Sequence, residues 1–399
     1  MSSAPVQPHQ RIQYLDVIRG VAITGVLLAY AFWNLGTAPE SGWTHFDKGL
    51  DEVFGFLVDS KCFTLLANLF TVGFVLHMNK TDDPARSLYT YRRRLAGLMI
   101  IGLIHALLLR NGDILLPYAL LTFFVSFFYK ASNKKIIIAM VITFLVEVLI
   151  WDLWTWLRLP LFHRPTFQGN YLVENFEWLK YWYSTIPFYW ETTLFFLFSG
   201  LLLGKIFIQD KIKLNNRQLI IIAVSSFIVG AVSYYFVSFK AARIGSLPDI
   251  GKTFIVRQTV YTLLGLLHRA GLAASYASLF YMLSQRFSFR VFATLGRTSL
   301  TNYIMQAAII VPLCLVLDLF DHVTPTIALT MTVSIWIFQV LFSSWWLKQH
   351  RFGPLEGLLR RFTYGKAVTA TSNEEQTKTN IVLENGGLTT SFLPVKSNE

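Results

Sequence analysis

The sequence predicts an all-α polytopic membrane protein, a helix bundle of about ten transmembrane helices with both termini cytoplasmic. Three observations carry this reading. Of 399 residues, 54% are hydrophobic and only 15% charged, with a mean hydropathy of +0.47, whereas a soluble domain carries about 25% charge. Apolar runs recur at the ~20-residue length that crosses roughly 30 Å of hydrocarbon. The polar segments between them alternate between rich and poor in Lys and Arg, which places the rich set inside.

Residues 1–10 are polar, and the first apolar run, 17–35, ends without a small-residue cleavage pattern; a retained first helix is expected. A loop with Asp47, Lys48, Asp51, Glu52 and Asp59 leads to the second run, 60–78, and its acidity puts it outside. Arg92, Arg93 and Arg94 precede the third run, 95–110. It meets the fourth, 113–130, in the turn Arg110-Asn111-Gly112-Asp113, an outer hairpin by this reading. The fifth, 135–152, starts behind Lys130, Lys134 and Lys135. Between 151 and 187, Trp154, Trp156, Trp178 and Trp182 mix with Arg158, Glu174 and Lys180. That composition suits an element at the outer headgroup level, either an anchoring belt or a lid over substrate.

Runs 188–208, 218–239, 258–283, 300–320 and 325–347 complete the set, with basic inner loops over 205–217, 286–297 and 348–366. Segment 240–257 is the one outer stretch that is basic. None of the runs alternates with period two, which excludes an outer-membrane barrel. Phe352-Gly353-Pro354-Leu355-Glu356 opens a short amphipathic helix with Arg360 and Arg361, suited to an inner surface of anionic lipid. Beyond Lys366 the chain is polar and aperiodic, so 367–399 is expected to be a disordered cytoplasmic tail behind a single bundle over 1–366. The net charge of +12 therefore sits on inner loops and faces a lipid bilayer, not nucleic acid. Cys62 and Cys314 lie in or beside spans; neither a disulfide nor a metal site is expected.

Ionisable residues at membrane depth are costly and mark cavities or partners. His105 falls about ten residues into the third run, near the midplane. Arg269, beside His268, lies at similar depth in the eighth and is expected to pair with Glu147 or Glu191. Asp16 and Arg19 stand three apart, on one helix face at the inner mouth of the first run. They form either an ion pair that eases the helix into the bilayer or a polar wall for an incoming substrate. Asp113 fits the N-cap of the fourth run. Gly296-Arg297-Thr298-Ser299-Leu300-Thr301-Asn302 precedes the ninth; its hydroxyls and Asn302 could cap that helix, or Arg297 with the free amides could hold an anion.

RIQYLDVIRGVAITGVLL, RRRLAGLMIIGLIHALLLRNGDILLPYA, LGRTSLTNYIMQ and RFGPLEGLLRRFTYG stand in this order. Together they resemble the YeiB-like family of bacterial inner-membrane proteins, whose carboxy-terminal part, about 230–366 here, is a domain of unknown function. Tyr30 replaces the family's usual Asn, and Leu69-Phe70-Thr71-Val72-Gly73 departs from its Leu-Phe-Gly-x-Gly-like run. The opening L-D-x-x-R-G pattern is also similar to membrane acyltransferases that draw on cytoplasmic acetyl-CoA. That resemblance implies Asp16, Arg19, His105 and Arg297 as site positions, with acyl-CoA as co-substrate and no tightly bound cofactor.

Three functions follow. An acyltransferase would use His105 as general base, Arg297 and the amides starting the ninth run to hold cofactor phosphates, and Arg19, oriented by Asp16, to line the entrance, passing an acyl group to a small-molecule or envelope-glycan acceptor. A secondary transporter would use Glu147, Glu191, His105 and Arg269 as a midplane site. A structural scaffold would pair these groups off with no cavity between them.

Overall fold

The computed structural model describes residues 8–33, 40–79, 83–109, 113–156, 170–184, 186–210, 212–244, 251–319 and 322–365. Among these the secondary structure is helical, with no β-strand. The tail 367–399 lies outside the described residues.

Helix α1 (Pro8–Trp33) runs through the centre of the bundle. Helix α2 (His45–Leu57) starts with a reciprocal cap: Asp47 N donates to Thr44 Oγ1 at 3.1 Å, and Thr44 N donates to Asp47 Oδ2 at 3.0 Å. It stops at 58–60, where Ser60 takes a left-handed φ of 63°. Helix α3 (Lys61–Met78) then resumes, so that 45–78 forms one crossing with a break inside it. The acidic loop expected before the second run is therefore helix. Asp47 also accepts from Thr326 N at 2.9 Å and Thr326 Oγ1 at 2.6 Å, which ties α2 to the rest of the bundle.

Helices α4 (Pro84–Leu108) and α5 (Leu115–Val125) form the hairpin. Next come α6 (Asn133–Trp156), α7 (Tyr171–Ser184), α8 (Ile186–Gly204), α9 (Asn216–Ile244) and α10 (Gly251–Ser284). Short α11 (Arg290–Arg297) leads to α12 (Ser299–Val316), α13 (Pro325–Gln349) and α14 (Pro354–Tyr364). Among the described residues, α1, α2–α3, α8, α9, α12 and α13 are long and apolar enough for a crossing. Ile138, Ile142 and Leu149 on α6, with Ile221, Val224 and Ile228 on α9, point outward and exposed. An apolar exterior of that kind belongs to a protein whose solvent is lipid.

Close crossings fix the depth of each element. Gly20 of α1 and Gly296 of α11 meet so tightly that a Cβ on either would strike the other helix's backbone. Higher up, Gln306 of α12 donates to Ile23 O and Trp336 of α13 donates to Thr24 Oγ1, both at 3.1 Å. Ile23 and Thr24 are the middle of the apolar stretch Tyr14–Phe32, so they mark mid-membrane.

The α4–α5 hairpin turns near that level. Tyr303, one turn before Gln306, donates to Asp113 and accepts from Ile114 N at the hairpin's tip. From Leu95 to Leu108, α4 rises only about 21 Å, short of the roughly 30 Å of a full crossing. The polar pair His105 and Asp113, one on each arm of this hairpin, is buried in the bundle, while Arg110, Asn111 and Gly112 lie outside the described residues. Helix α7 covers the end of α4: buried Asn175 donates to Ala106 O at 2.8 Å and Leu107 O at 2.7 Å, and Tyr171 donates to Leu109 O. These carbonyls end α4 and would otherwise lack partners. Part of the aromatic segment thus caps a helix end inside the protein; 157–169 lie outside the described residues.

The basic segments gather on one face. Arg93 Nη2 donates to Phe362 O at 2.8 Å, Arg297 Nη2 to Arg351 O at 3.0 Å, and Lys205 Nζ to Ala131 O at 2.5 Å. Arg92–Arg94, Arg297 and α14 are therefore on the same side, as the charge pattern requires.

Candidate active site

His105, in the last turn of α4, is 1% exposed. Its Nδ1 lies 3.0 Å from Asp113 Oδ1, off the line of a hydrogen bond, and its Nε2 has no hydrogen-bond partner among the described residues. Asp113 is held from two further sides. Leu116 N donates to Oδ2 at 2.7 Å, and Tyr303 Oη donates to Oδ1 at 2.9 Å. The carboxylate thus caps the start of α5, as the sequence suggested, and also faces an imidazole. Tyr303 stacks obliquely on that ring with centroids 5.0 Å apart, and accepts from Ile114 N at 3.0 Å. Gly102 makes room: a Cβ there would sit 2.9 Å from Asp113 Oδ2 and 2.7 Å from Leu116 N. A buried carboxylate thus lies against a buried imidazole, neither of whose nitrogens has a hydrogen-bond partner among the described residues.

On the basic face, Arg19 Nη1 and Asp16 Oδ1 form an ion pair at 2.8 Å, with side chains 32% and 20% exposed. Arg94, Arg297 and Glu356 lie within electrostatic reach of this pair. The amides at the start of α12, which the sequence left either to capping or to an outside anion, are filled. Glu356 Oε1 accepts from Leu300 N at 2.7 Å and Thr301 N at 3.1 Å, and Oε2 accepts from Thr301 Oγ1 at 2.6 Å. Burial pushes the Glu356 carboxyl above its usual range, while the bonds from Thr301 and Leu300 pull it down. Helix α14 is therefore docked on α12 through an internal anion, beyond any surface role.

Asn302 is fully buried, donating to Thr298 Oγ1 at 3.0 Å and Ser343 Oγ at 3.2 Å, while its own carbonyl accepts from Gln339 Nε2 at 2.8 Å. It joins α12 to α13 and is not open to a ligand. Arg269 stands at mid-membrane, because the adjacent His268 is 3.1 Å from Gly230 O, well inside the α9 stretch Asn216–Val237. It makes no ion pair within 4.0 Å with Glu147, which instead accepts from Thr192 Oγ1 at 2.7 Å. Glu191 falls in α8, with its side chain outside the described residues.

The structure thus brings His105 and Asp113 together and separates them from Asp16, which serves Arg19. Neither Tyr303 nor Glu356 stands out in the sequence as a site residue. The only signal for Tyr303 was a hydroxyl beside Asn302, in a motif already singled out. For Glu356 it was a carboxylate in the first turn of a helix, a position any N-terminus favours. Among the described residues no group of three His, Cys, Asp or Glu converges, and Cys62 and Cys314 are buried and form no disulfide.

The fold and this buried pair define a polytopic helical membrane protein with a polar centre at the tip of an internal hairpin. Residues 203–366 match the family described as "Protein of unknown function (DUF418)", from the last turn of α8 onward instead of near 230. The chain is 29% identical to "Uncharacterized protein YeiB" of Escherichia coli, covering 90% of this chain and 98% of that one. To "Uncharacterized protein YxaH" of Bacillus subtilis it is 25% identical, over 91% and 96%. A 39.9 kDa protein from the amylase 3' region of Bacillus acidopullulyticus is 28% identical over 91% and 96%. Over most of its length the chain is thus similar to proteins of the YeiB kind, and its carboxy-terminal part matches DUF418. His105 and Asp113 precede that region and Tyr303 lies within it, so the site is assembled from both parts.

Proposed function

We propose that this protein is an acyltransferase of the bacterial inner membrane, moving an acyl group from cytoplasmic acyl-CoA to a small-molecule or envelope-glycan acceptor. One observation carries the reading: a buried imidazole 3.0 Å from the Asp113 carboxylate, its Nε2 without a hydrogen-bond partner among the described residues, inside the bundle. The acceptor hydroxyl or amine would attack the thioester carbonyl while His105 Nε2 takes its proton. The C–S bond then breaks, and the departing CoA sulfur takes the proton back as a thiol. Arg19, Arg94 and Arg297 supply the cationic ground where CoA phosphates would dock. Tyr303, through Asp113, is a positioning residue.

The test is CoA release and acylated product from purified full-length protein given acetyl-CoA and envelope extract. His105→Ala, expressed and folded, should abolish both; unchanged acylation removes the proposal. A secondary transporter is the second reading, favoured by the broken α2–α3 crossing. Substrate-dependent flux in proteoliposomes that survives His105→Ala would select it.

A further inference from the structure

At the break between α2 and α3, charged side chains meet at mid-membrane without joining. Asp59 and Lys61 come from the break, Arg269 from α10 and Glu147 from α6; Arg269 is within electrostatic reach of all three. Each of the others holds a hydrogen bond, Glu147 through one oxygen only, its Oε2 being buried without a partner among the described residues. Lys61, fully buried, donates from Nζ to Gly55 O at 2.5 Å, on the last turn of α2, with its ammonium 5.7 Å from the Tyr234 ring. Asp59 Oδ1 accepts from Ser60 Oγ at 2.8 Å, and Glu147 Oε1 accepts from Thr192 Oγ1 at 2.7 Å.

Arg269 alone of the four has no such bond. Among the described residues its guanidinium makes no hydrogen bond, and no carboxylate comes within 4.0 Å of it. A guanidinium carries five donors in a planar fork that matches a carboxylate or phosphate, and it cannot shed its charge when buried. Bundles normally pair such a group with protein, and one left open at this depth marks a ligand path. Irregular backbone at membrane depth, as at 58–60, is likewise tolerated where it lines a cavity.

We infer that Arg269, at the α2–α3 break, is the binding group for a small oxyanion, a carboxylate or a phosphate. Lys61 and Asp59 set the local charge without contacting it: Lys61 neutralises the end of α2, and Asp59 stays on Ser60. Helix α5 links this site to the His105–Asp113 pair through Tyr118. Tyr118, one turn into α5 from Ile114, donates to Phe63 O at 2.9 Å and is within electrostatic reach of Arg269. That Arg269 holds the acidic group of the acyl acceptor rests on the transfer reading; the binding does not.

The experiment uses full-length protein in detergent, with thermal unfolding followed by tryptophan fluorescence. Sodium phosphate and sodium acetate are titrated separately against sodium chloride of equal ionic strength. A saturable rise in the midpoint is expected with one of them, and the responding anion names the source. Arg269→Gln should weaken binding at least about tenfold. Should that variant fail to fold, modification of wild-type Arg269 by phenylglyoxal, read by mass spectrometry, should be suppressed by the same anion. No shift with either anion, or equal binding by Arg269→Gln, overturns the site. Binding without acyl transfer keeps the site and removes only the assignment to an acceptor; transfer without binding removes the site.

Discussion

Glu356 and Asp113 both cap helix starts in this bundle, and they differ in what they leave over. Glu356 uses both oxygens on Leu300 N, Thr301 N and Thr301 Oγ1, and every partner is internal. Asp113 caps α5 through Leu116 N in the same manner, yet it also faces an imidazole whose Nε2 has no hydrogen-bond partner among the described residues. A closed network of buried polar groups fixes a structure; one that leaves a basic nitrogen open can also take a proton. The first is a docking contact; the second is the pair on which the proposed transfer rests.

The sharpest way to break this contrast is to remove the open nitrogen. His105→Ala should lower acyl transfer about 10²–10⁴-fold, the usual worth of a positioned general base, with little loss of thermal stability. CoA release and the unfolding midpoint, measured on one preparation, check both halves. A large fall in stability with activity retained would make His105 a packing residue and Asp113 a second Glu356.

Next is the closed network. Glu356→Ala leaves two amides and a hydroxyl without their acceptor at the start of α12, which should cost about 1–3 kcal/mol. It should also free α14, read as faster proteolysis near Arg360 and Arg361. Tyr303→Phe probes the join between the classes. It removes the bond to Asp113 and the acceptor of Ile114 N, and a loss of roughly 1 kcal/mol is expected. Because Asp113 would then orient His105 less firmly, kcat should fall with KM unchanged. A purely structural Tyr303 would lower the folded fraction and leave kcat per folded molecule as it was.

The sequence disclosed the fold class and half of the site, for a physical reason. Apolar length and the Lys/Arg bias are local, one-dimensional signals, and the basic segments do gather on one face with α14. His105 and Asp113 were legible because an ionisable side chain in an apolar run is rare. Their union was partly legible, since a tight turn joins their helices, but the depth of that turn was not. It depends on Tyr303 of α12, nearly two hundred residues away, and on Asn175 satisfying the end of α4 from α7. The acidic stretch before 60–78 resembled a loop by composition and is helix α2, because the cap at Thr44 and the bonds of Asp47 to Thr326 support it there. Arg269 was expected to find Glu147 or Glu191; Glu147 is taken by Thr192, a hydroxyl that carries no charge signal.

The smallest effect concerns pH. Burial holds the Glu356 carboxyl above its usual range even against the amides that favour its ionised form. A folded pKa raised above the unfolded value, about 4.3 for Glu, means the folded chain binds the proton first as pH falls. The resulting stabilisation is fully present below the unfolded value and is lost as pH rises through the folded one. Wild-type protein should therefore lose a small part of its stability over that window, on top of the slope from its other acids. Glu356→Gln is neutral throughout and should lack this part, so the difference between the two unfolding curves isolates it. A difference of opposite sign would mean that the amides outweigh burial, leaving the α12 start a stronger anion site than its present occupant suggests.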